Sequence, residues 1–244
     1  MARFYVPCAE WKAGELPESE ARHAAQVLRM ASGEKAVIFD GTGRVADVEL
    51  VDVRNKHVSF RVLREWREER VQPETHLVVA LIKNERFEWL VQKATELGAA
   101  SILPVAAARS VVKLAGRDAE KKRGKWEQIA VEAAKQCGHV VLPDIHPVCD
   151  PAEAFRSAPE GLKAIPALHE GGHSLGDLLD GSFPAATFAI GPEGDWTEPE
   201  MESAQSCGFV PVDLGKHVLR SETAALHVLS AAAFRLHGGV GGKR

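Results

Sequence analysis

The sequence predicts an α/β fold in two domains, and three observations support it. From Ala36 to Leu63 the apolar residues come in short, alternating runs that are typical of β-strands. From His76 onward, strand-like and helix-like segments take turns, which is the rhythm of a parallel sheet. In the last quarter, two strands each lead through a glycine-containing loop into a helix. A chain of 244 residues is long enough for this organisation.

The N-terminal segment predicts a small antiparallel barrel or sheet. A strand at 36–39 leads into a turn at 40–43, and two further strands follow, with apolar positions at Ala46, Val48, Leu50, Val58, Phe60 and Val62. The charged segment 64–73 ends at a proline and suits a linker. We therefore place the domain boundary near residue 72, with domains 1–72 and 73–244.

The C-terminal segment predicts buried strands joined by amphipathic helices. The apolar run 77–82 is of buried-strand type, and the helix after it ends at Gly98. Further helices are predicted at 118–137, at 198–207 and from about 222 to 237. Thr197 and Glu200 have the spacing of a capping box before the second of these.

Composition favours a cytoplasmic protein. Hydrophobic residues make up 45% of the chain and charged residues 26%, and no apolar run reaches the roughly 18 residues that a membrane span needs. The N-terminus lacks the apolar stretch of a secretion signal. The four cysteines are scattered without a C-x-x-C pair, so neither a zinc cluster nor a redox dithiol is indicated.

Charge is distributed unevenly along the chain. Residues 73–139 carry 11 basic and 8 acidic side chains, whereas residues 140–244 carry 7 and 14. The basic side chains of the middle segment concentrate between Arg109 and Lys125. Two interpretations stay open: a solvated face, or a patch that contacts RNA.

Three short motifs resemble known sites without the context those sites require. His169-Glu170-Gly171-Gly172-His173 matches H-E-x-x-H, but two glycines oppose the helix that a zinc site needs, so we expect a loop at a strand end. Residues 41–46 loosely match a dinucleotide fingerprint, yet strand alternation follows, which favours a hairpin turn. Residues 239–243 have neither the strand nor the helix of a phosphate loop, so we expect a tail.

The two C-terminal loops combine glycines with a position at strand ends. One is Gly191-Pro192-Glu193-Gly194, after the strand 186–190, and the other is 214–224, after a second strand. Glycines such as Gly191, Gly194 and Gly215 let backbone approach a ligand, and open α/β sheets bind small molecules at the carboxyl ends of their strands. We therefore expect the chemistry of this protein at these loops.

Several motifs in a fixed order carry a resemblance to a known family. They are Val27-Leu28-Arg29-Met30, Phe39-Asp40-Gly41, Gln92 to Gly98, Arg109-Ser110-Val111-Val112-Lys113, Ala133 to Gly138, Gly191 to Gly194, and Leu214 to Ala224. Over nearly its whole length the chain resembles the bacterial small-subunit (16S) rRNA uridine-N3 methyltransferases, which belong to the trefoil-knotted SPOUT superfamily. Two positions depart from the family pattern: Asp195 replaces a usual glycine, and His139 replaces a common arginine.

The resemblance implies a PUA-like β-barrel followed by a knotted catalytic domain that works as a homodimer on 16S rRNA of the small ribosomal subunit. It also implies S-adenosylmethionine (SAM) as the methyl donor, with no metal, held largely by backbone groups of three loops. Carried onto this chain, the cofactor-binding residues are Leu168, His169, Gly191, Glu193, Gly194, Leu214, Gly215, Val218, Leu219, Thr223 and Ala224.

The reaction itself suggests roles for polar residues near the last helix. Uracil N3 must lose a proton, and the anion must be stabilised while N3 meets the methyl group. Arg220 and Glu222 are the predicted catalytic pair, as cation and proton acceptor. Two alternatives stay open: Arg220 as a structural clamp of its loop, and Glu222 as a first-turn carboxylate that suits the helix dipole. Arg29, Arg109 and Lys113 are the predicted RNA contacts, with solvated surface as the alternative.

Other functions remain open from the sequence alone. A sister knotted enzyme would methylate a ribose 2′-hydroxyl with the same cofactor site. A non-catalytic RNA-binding factor would keep the fold without binding SAM. A metallohydrolase built on His169 and His173 would require stoichiometric zinc.

Overall fold

The chain folds into two compact units. The structure is a computed structural model that describes residues 1–167 and 172–237. The first unit comprises Met1–Arg70 together with Val131–Leu142, and the second comprises Val71–Ala130 together with the described residues from Pro143 onward.

The first unit is built on a four-stranded sheet. Its strands follow one another in the order β1 (Ala2–Tyr5), β2 (Lys35–Phe39), β3 (Arg44–Arg54) and β4 (His57–Arg67). β1 pairs parallel with β2, and the other pairs are antiparallel. The turn between β2 and β3 contains Gly41 and Gly43 at φ 81° and 100°, so the predicted hairpin at this position is confirmed.

Short helical segments complete this unit between β1 and β2. They are a 3₁₀ helix at Cys8–Ala13, α1 at Glu18–Arg22 and a π-helical turn at His23–Val27. Trp11, Ala21 and Ala24 are buried with the apolar residues of the sheet. The alternation in the sequence therefore located the three long strands, whereas β1 and these helical turns were not predicted.

The predicted linker at 64–73 is wrong for its first four residues. β4 continues to Arg67, and Arg64–Arg67 pair with Asp47–Arg44 of β3. The charged residues of this segment suggested a linker, but Glu65 forms an ion pair with Arg44 at 2.7 Å. Trp66 also packs against a buried cluster that contains Phe39. Cross-strand pairing thus stabilises a strand of unfavourable composition.

A buried ion pair holds residues 131–142 within the first unit. Lys135 Nζ lies 2.9 Å from Glu20 Oε1, and both side chains are about nine-tenths buried. Burial raises the pKa of Glu20, although the hydrogen bond from Lys135 opposes that shift. Arg3 Nη1 also donates to the carbonyl oxygen of Gly138 at 3.0 Å. Breaking such a pair would leave an uncompensated buried charge.

The second unit contains a seven-stranded parallel sheet. Its strands are β5 (Glu74–Ala80), β6 (Ser101–Val105), β7 (Asp144–Ile145), β8 (Leu162–Pro166), β9 (His173–Ser174), β10 (Ala185–Ile190) and β11 (Val210–Asp213). Their order across the sheet is β7-β6-β5-β10-β8-β11-β9, and every described pairing is parallel. The carboxyl ends of β6, β5, β10, β8 and β11 therefore meet at one edge of the sheet.

Helices connect these strands. They are α2 (Asn84–Glu96), α3 (Gly116–Cys137), α4 (Pro151–Ser157), α5 (Leu175–Leu179), α6 (Glu198–Ser206) and α7 (Ser221–Ala232), with a π-helical turn at Ala233–His237. The predicted capping box of Thr197 and Glu200 is present at α6. α2 buries Phe87, Leu90 and Val91 in the main apolar core. No helix in the described part of the chain is long and apolar enough to cross a membrane.

Candidate active site

A cavity of about 360 Å³ opens at the carboxyl edge of the parallel sheet. The ends of β8, β10 and β11 and the loops that follow β10 and β11 form its walls. Six of the seventeen lining residues are glycine, proline or alanine, which have small side chains. The lining residues are Pro166, Ala167, Ile190, Gly191, Pro192, Glu193, Asp195, Val212, Asp213, Leu214, Gly215, Lys216, His217, Val218, Leu219, Ser221 and Ala224.

The first wall is the loop between β10 and α6, residues 191–197, which we name the β10 loop. It begins as a tight turn, in which the Asp195 amide donates to the carbonyl oxygen of Pro192 at 2.9 Å. Asp195 lies in the left-handed region at φ 61°, where glycine is usual, and its Oδ1 accepts from the Trp196 amide at 2.8 Å. The departure of Asp195 from the family pattern therefore has a local hydrogen bond to support it.

An arginine from another loop holds the β10 loop from outside. Arg109 Nη1 donates to the carbonyl oxygen of Gly194 at 2.8 Å and to that of Trp196 at 3.3 Å. A Cβ added at Gly194 would lie 3.3 Å from the Arg109 side chain. Glycine at this position therefore allows the arginine to lie close against the loop.

The second wall is the loop between β11 and α7, residues 214–220, which we name the β11 loop. Its second residue, Gly215, has φ 110°, and the Gly215 amide donates to Asp213 Oδ1 at 2.7 Å. Lys216, His217 and Val218 are exposed, and Val218 has 74% of its surface accessible although it is apolar. An exposed apolar side chain beside a cavity favours contact with a bound molecule.

One hydroxyl joins the two walls. Ser221 is the first residue of α7, it is buried, and its Oγ donates to the carbonyl oxygen of Gly191 at 2.7 Å. The bond spans 30 residues of sequence and fixes the start of α7 against the end of β10. The two predicted loops are thus brought together.

The two predicted catalytic residues flank this serine in contrasting environments. Arg220 is the exposed N-cap residue of α7, with φ −66° and ψ 153°. Glu222 is only 8% exposed, and its Oε1 lies 3.6 Å from Nε of Arg86. Neither side chain belongs to the cavity wall, whereas Ser221 and Ala224 do.

The predicted cofactor-binding residues divide into three groups. Those that line the cavity are Gly191, Glu193, Leu214, Gly215, Val218, Leu219 and Ala224. Gly194 and Thr223 are exposed and lie outside the wall. Leu168 and His169 lie outside the described residues.

The predicted RNA contacts are exposed residues, one in the first unit and two in the loop between β6 and α3. Arg29 belongs to the first unit and adopts a left-handed conformation at φ 53°. Arg109 holds the β10 loop as described. Lys113 Nζ lies 3.4 Å from the carbonyl oxygens of both Ala107 and Ala108. The structure thus gives Arg109 a contact with the candidate site that the sequence did not indicate.

Sequence reasoning missed three polar residues at the site: Arg86, Asp213 and Ser221. Arg86 lies in the first turn of α2, after β5, and β5 pairs with β10. The strand rhythm could have pointed to it, because loops after neighbouring parallel strands share an edge. Ser221 is the first residue of α7, and its hydroxyl donates across to the carbonyl oxygen of Gly191.

The zinc alternative finds no support in the described residues. His173 lies in the short strand β9, and His169 is not described. Within 1–167 and 172–237, no three His, Cys, Asp or Glu side chains are grouped as a metal site would need.

Comparison with known protein families shows which family this chain belongs to. Residues 68–233 match the RNA methyltransferase domain, and residues 16–63 match the RNA methyltransferase PUA domain. The chain belongs to the RNA methyltransferase family. The family's catalytic domain thus includes both loops that line the cavity, and its PUA domain falls within the first unit.

Members of the RNA methyltransferase family from several bacteria are similar over nearly the whole chain. Ribosomal RNA small subunit methyltransferase E of Bacillus subtilis is 33% identical over 248 residues, covering 96% of this chain and 97% of the relative. The Mycobacterium tuberculosis protein of the same name is 32% identical, with 87% and 82% covered. The crystal structure of the Neisseria gonorrhoeae enzyme of that name, bound to S-adenosyl methionine, superposes with a TM-score of 0.85. It is 31% identical, with 96% and 97% covered.

Proposed function

We propose that this protein transfers a methyl group from SAM to N3 of a uridine in 16S rRNA of the small ribosomal subunit. The observation that carries the proposal is the cavity between the β10 and β11 loops, in a chain that belongs to the RNA methyltransferase family. The named relatives act on ribosomal RNA of the small subunit, and one of them was solved with SAM. A homodimer in the cytoplasm, a PUA-like barrel at 1–72 and a trefoil knot at 73–244 belong to the same proposal.

The cavity fits SAM in size and in chemistry. Its volume of about 360 Å³ lies in the range of small-molecule sites. A Cβ at Gly191 would lie 3.1 Å from Trp196 Nε1, so this part of the wall has room for backbone alone. Glu193, Asp195 and Asp213 give the lining acidic groups that suit the cationic groups of SAM. We assign the cavity-lining residues of the two loops to the cofactor.

The remaining polar residues serve the uracil. When bound, SAM supplies a methyl group on a positively charged sulfur, which is open to attack by a nucleophile. Glu222 accepts the N3 proton, directly or through water, so that the N3 electron pair becomes available. Arg220 places its guanidinium against the oxygens O2 and O4, where negative charge develops. Its exposure at the N-cap of α7 leaves it accessible to an RNA base.

Binding of the RNA requires a larger protein surface than the part that contacts the target base. Arg29 in the first unit and Lys113 in the second are exposed cations, and we assign both to contact with the RNA backbone. We assign Arg109 to contact with RNA as well, in addition to its hydrogen bond with the β10 loop. A base in folded rRNA must be presented outside its stack, and anchoring on two units serves that purpose.

Methyl transfer to ribosomal subunits tests the proposal. Small subunits from cells that lack this gene are incubated with the protein and SAM labelled in its methyl group, and the digested RNA is analysed by nucleoside mass spectrometry. We expect labelled 3-methyluridine. A label on a ribose would contradict the base assignment, and no label despite calorimetric binding of SAM would refute the proposed acceptor.

The role of Arg220 has a separate test. We expect Arg220→Ala to lower kcat by about 10³-fold, because one preorganised cation at a developing oxyanion contributes on the order of 10²–10³. The Kd for SAM should change by less than about threefold, since Arg220 is not part of the cavity wall. Arg156→Ala, an exposed arginine on α4, is the control. Near-normal turnover of Arg220→Ala would remove Arg220 from the reaction.

A further inference from the structure

Arg86 contacts two acidic residues with different parts of one guanidinium. Its Nη1 donates to Glu193 Oε1 at 3.2 Å, and its Nε lies 3.6 Å from Glu222 Oε1. Glu193 lines the cavity, and Glu222 lies one residue beyond the serine that joins the two walls. α2 thus supplies a bridge between the β10 loop and the start of α7.

The Glu222 carboxylate depends on this bridge. It is nine-tenths buried, and a buried carboxylate is costly unless a cation or hydrogen bonds compensate it. Oε1 faces Arg86, whereas Oε2 is inaccessible to solvent and has no hydrogen-bond partner among the described residues. One oxygen therefore faces a cation, whereas the other has no hydrogen-bond partner among the described residues.

We propose that Arg86 is a positioning residue for the methyl transfer, acting through Glu222. Through its contact with Oε1 it fixes the orientation of the carboxylate, and through its hydrogen bond to Glu193 it ties that orientation to the wall of the cavity. The inference rests on the proposed function, in which Glu222 takes the uracil N3 proton. A lysine reproduces only part of this arrangement, because an ammonium is a point charge, whereas the planar guanidinium presents separate N–H groups to two acceptors.

A set of variants separates positioning from simple structural support. The variants are R86A, R86K, E222Q, the double variant R86A/E222Q, and the control R235A, an exposed arginine whose ion pair with Asp180 lies outside the cavity wall. Each is measured for kcat on ribosomal subunits, for calorimetric Kd of SAM and for melting temperature.

We expect R86A to lower kcat about 100-fold, with a much smaller change in the Kd of SAM. R86K should recover part of this loss, and R235A should match the unmodified protein. If Arg86 acts through Glu222, R86A should cost less than about threefold in kcat in the E222Q background, because the carboxylate it orients is already absent. Without cofactor, R86A should lower the melting temperature more in the original background than in the E222Q background.

Two results would overturn the inference. One is normal kcat in R86A or, if that variant does not fold, in R86K. The other is a double variant whose loss equals the product of the two single losses, since Arg86 would then act independently of Glu222. An unmodified protein that binds SAM but transfers no methyl group would refute the proposed function itself, and the positioning role with it.

Discussion

The two loops that form the cavity are held to very different degrees. The β10 loop is fixed by its own turn, by Arg109 at the carbonyl oxygens of Gly194 and Trp196, and by Arg86 at Glu193. The β11 loop is held only near its two ends among the contacts described above. Near its beginning the Gly215 amide donates a hydrogen bond to Asp213, and just after its end Ser221 donates one to Gly191. Lys216, His217 and Val218 are exposed between these two points.

Because of this difference, we expect the two loops to contribute differently to the affinity for a ligand. A wall that is already ordered loses little conformational entropy when a ligand binds, so it contributes affinity at low cost. A wall with exposed side chains must order them on contact, and it can adapt its shape to the ligand in return. We therefore expect changes in the β10 loop to alter SAM affinity more strongly than changes in the β11 loop.

The largest effect should come from filling the ordered wall. Gly191→Val should weaken SAM binding at least about 100-fold, which corresponds to about 2.7 kcal/mol. The reason is steric: the new Cβ would lie 3.1 Å from Trp196 Nε1 and 3.3 Å from Asp195 Oδ1, and the two methyl groups of valine need further space. Isothermal titration calorimetry measures the change. Gly124→Val, at a glycine of α3 where an added Cβ would have nothing within 4 Å, should bind SAM normally.

The next effect concerns the link between the walls. Ser221→Ala should raise the Kd of SAM about tenfold, because it removes the donor to the Gly191 carbonyl oxygen, a half-buried hydrogen bond that contributes about 0.5–1.5 kcal/mol. Ser206→Ala is a matched control, since that hydroxyl also donates to a backbone carbonyl at 2.7 Å but is exposed on α6. Equal Kd values for the two variants would show that the walls are independent.

A smaller effect separates loop support from RNA contact. Arg109→Ala should raise the Kd of SAM about fivefold in the absence of RNA, because the carbonyl oxygens of Gly194 and Trp196 lose their donor. Lys113→Ala should leave this Kd unchanged, since the contacts of Lys113 lie within its own loop. Both variants should weaken binding of a 16S rRNA fragment. If Arg109→Ala binds SAM normally, its contact with the β10 loop is dispensable.

The smallest effect is expected at Asp195. Asp195→Gly relieves a left-handed conformation but removes the acceptor for the Trp196 amide, so the two effects oppose each other. We expect the melting temperature of Asp195→Gly to stay within experimental error of the unmodified protein. Asp195→Ala loses the acceptor without gaining conformational freedom and should be less stable by about 1–2 kcal/mol. A thermal unfolding series ranks the three proteins.

The sequence pattern correctly predicted those elements that depend on interactions between residues close together in the chain. The alternation at 36–62, the buried strand before Gly191 and the capping box of Thr197 and Glu200 are all present. Each depends on residues close in sequence, through side-chain period, backbone conformation or a hydrogen bond across one helical turn. The two loops could be placed together because parallel strands end at a common edge.

The contacts that complete the site depend on residues far apart in the chain. Arg86 reaches Glu193 across 107 residues, and Arg109 reaches Gly194 across 85. The periodicity of a sequence does not indicate which of its arginines will contact a given carboxylate in the folded chain. The strand at Arg64–Arg67 escaped prediction for a related reason, because its charged residues are stabilised by pairing with β3 rather than by intrinsic preference.

The small side chains of the cavity wall have a consequence for inhibitors and for the resistance that arises against them. A compound that bonds to the amides and carbonyls of the Gly191 and Gly215 segments contacts atoms that every amino acid carries, so most replacements leave its contacts in place. The replacements that would exclude the compound are those that substitute a larger residue for one of these glycines, and such a residue would also clash with the natural cofactor. A replacement that prevents such a compound from binding should therefore also prevent methyl transfer.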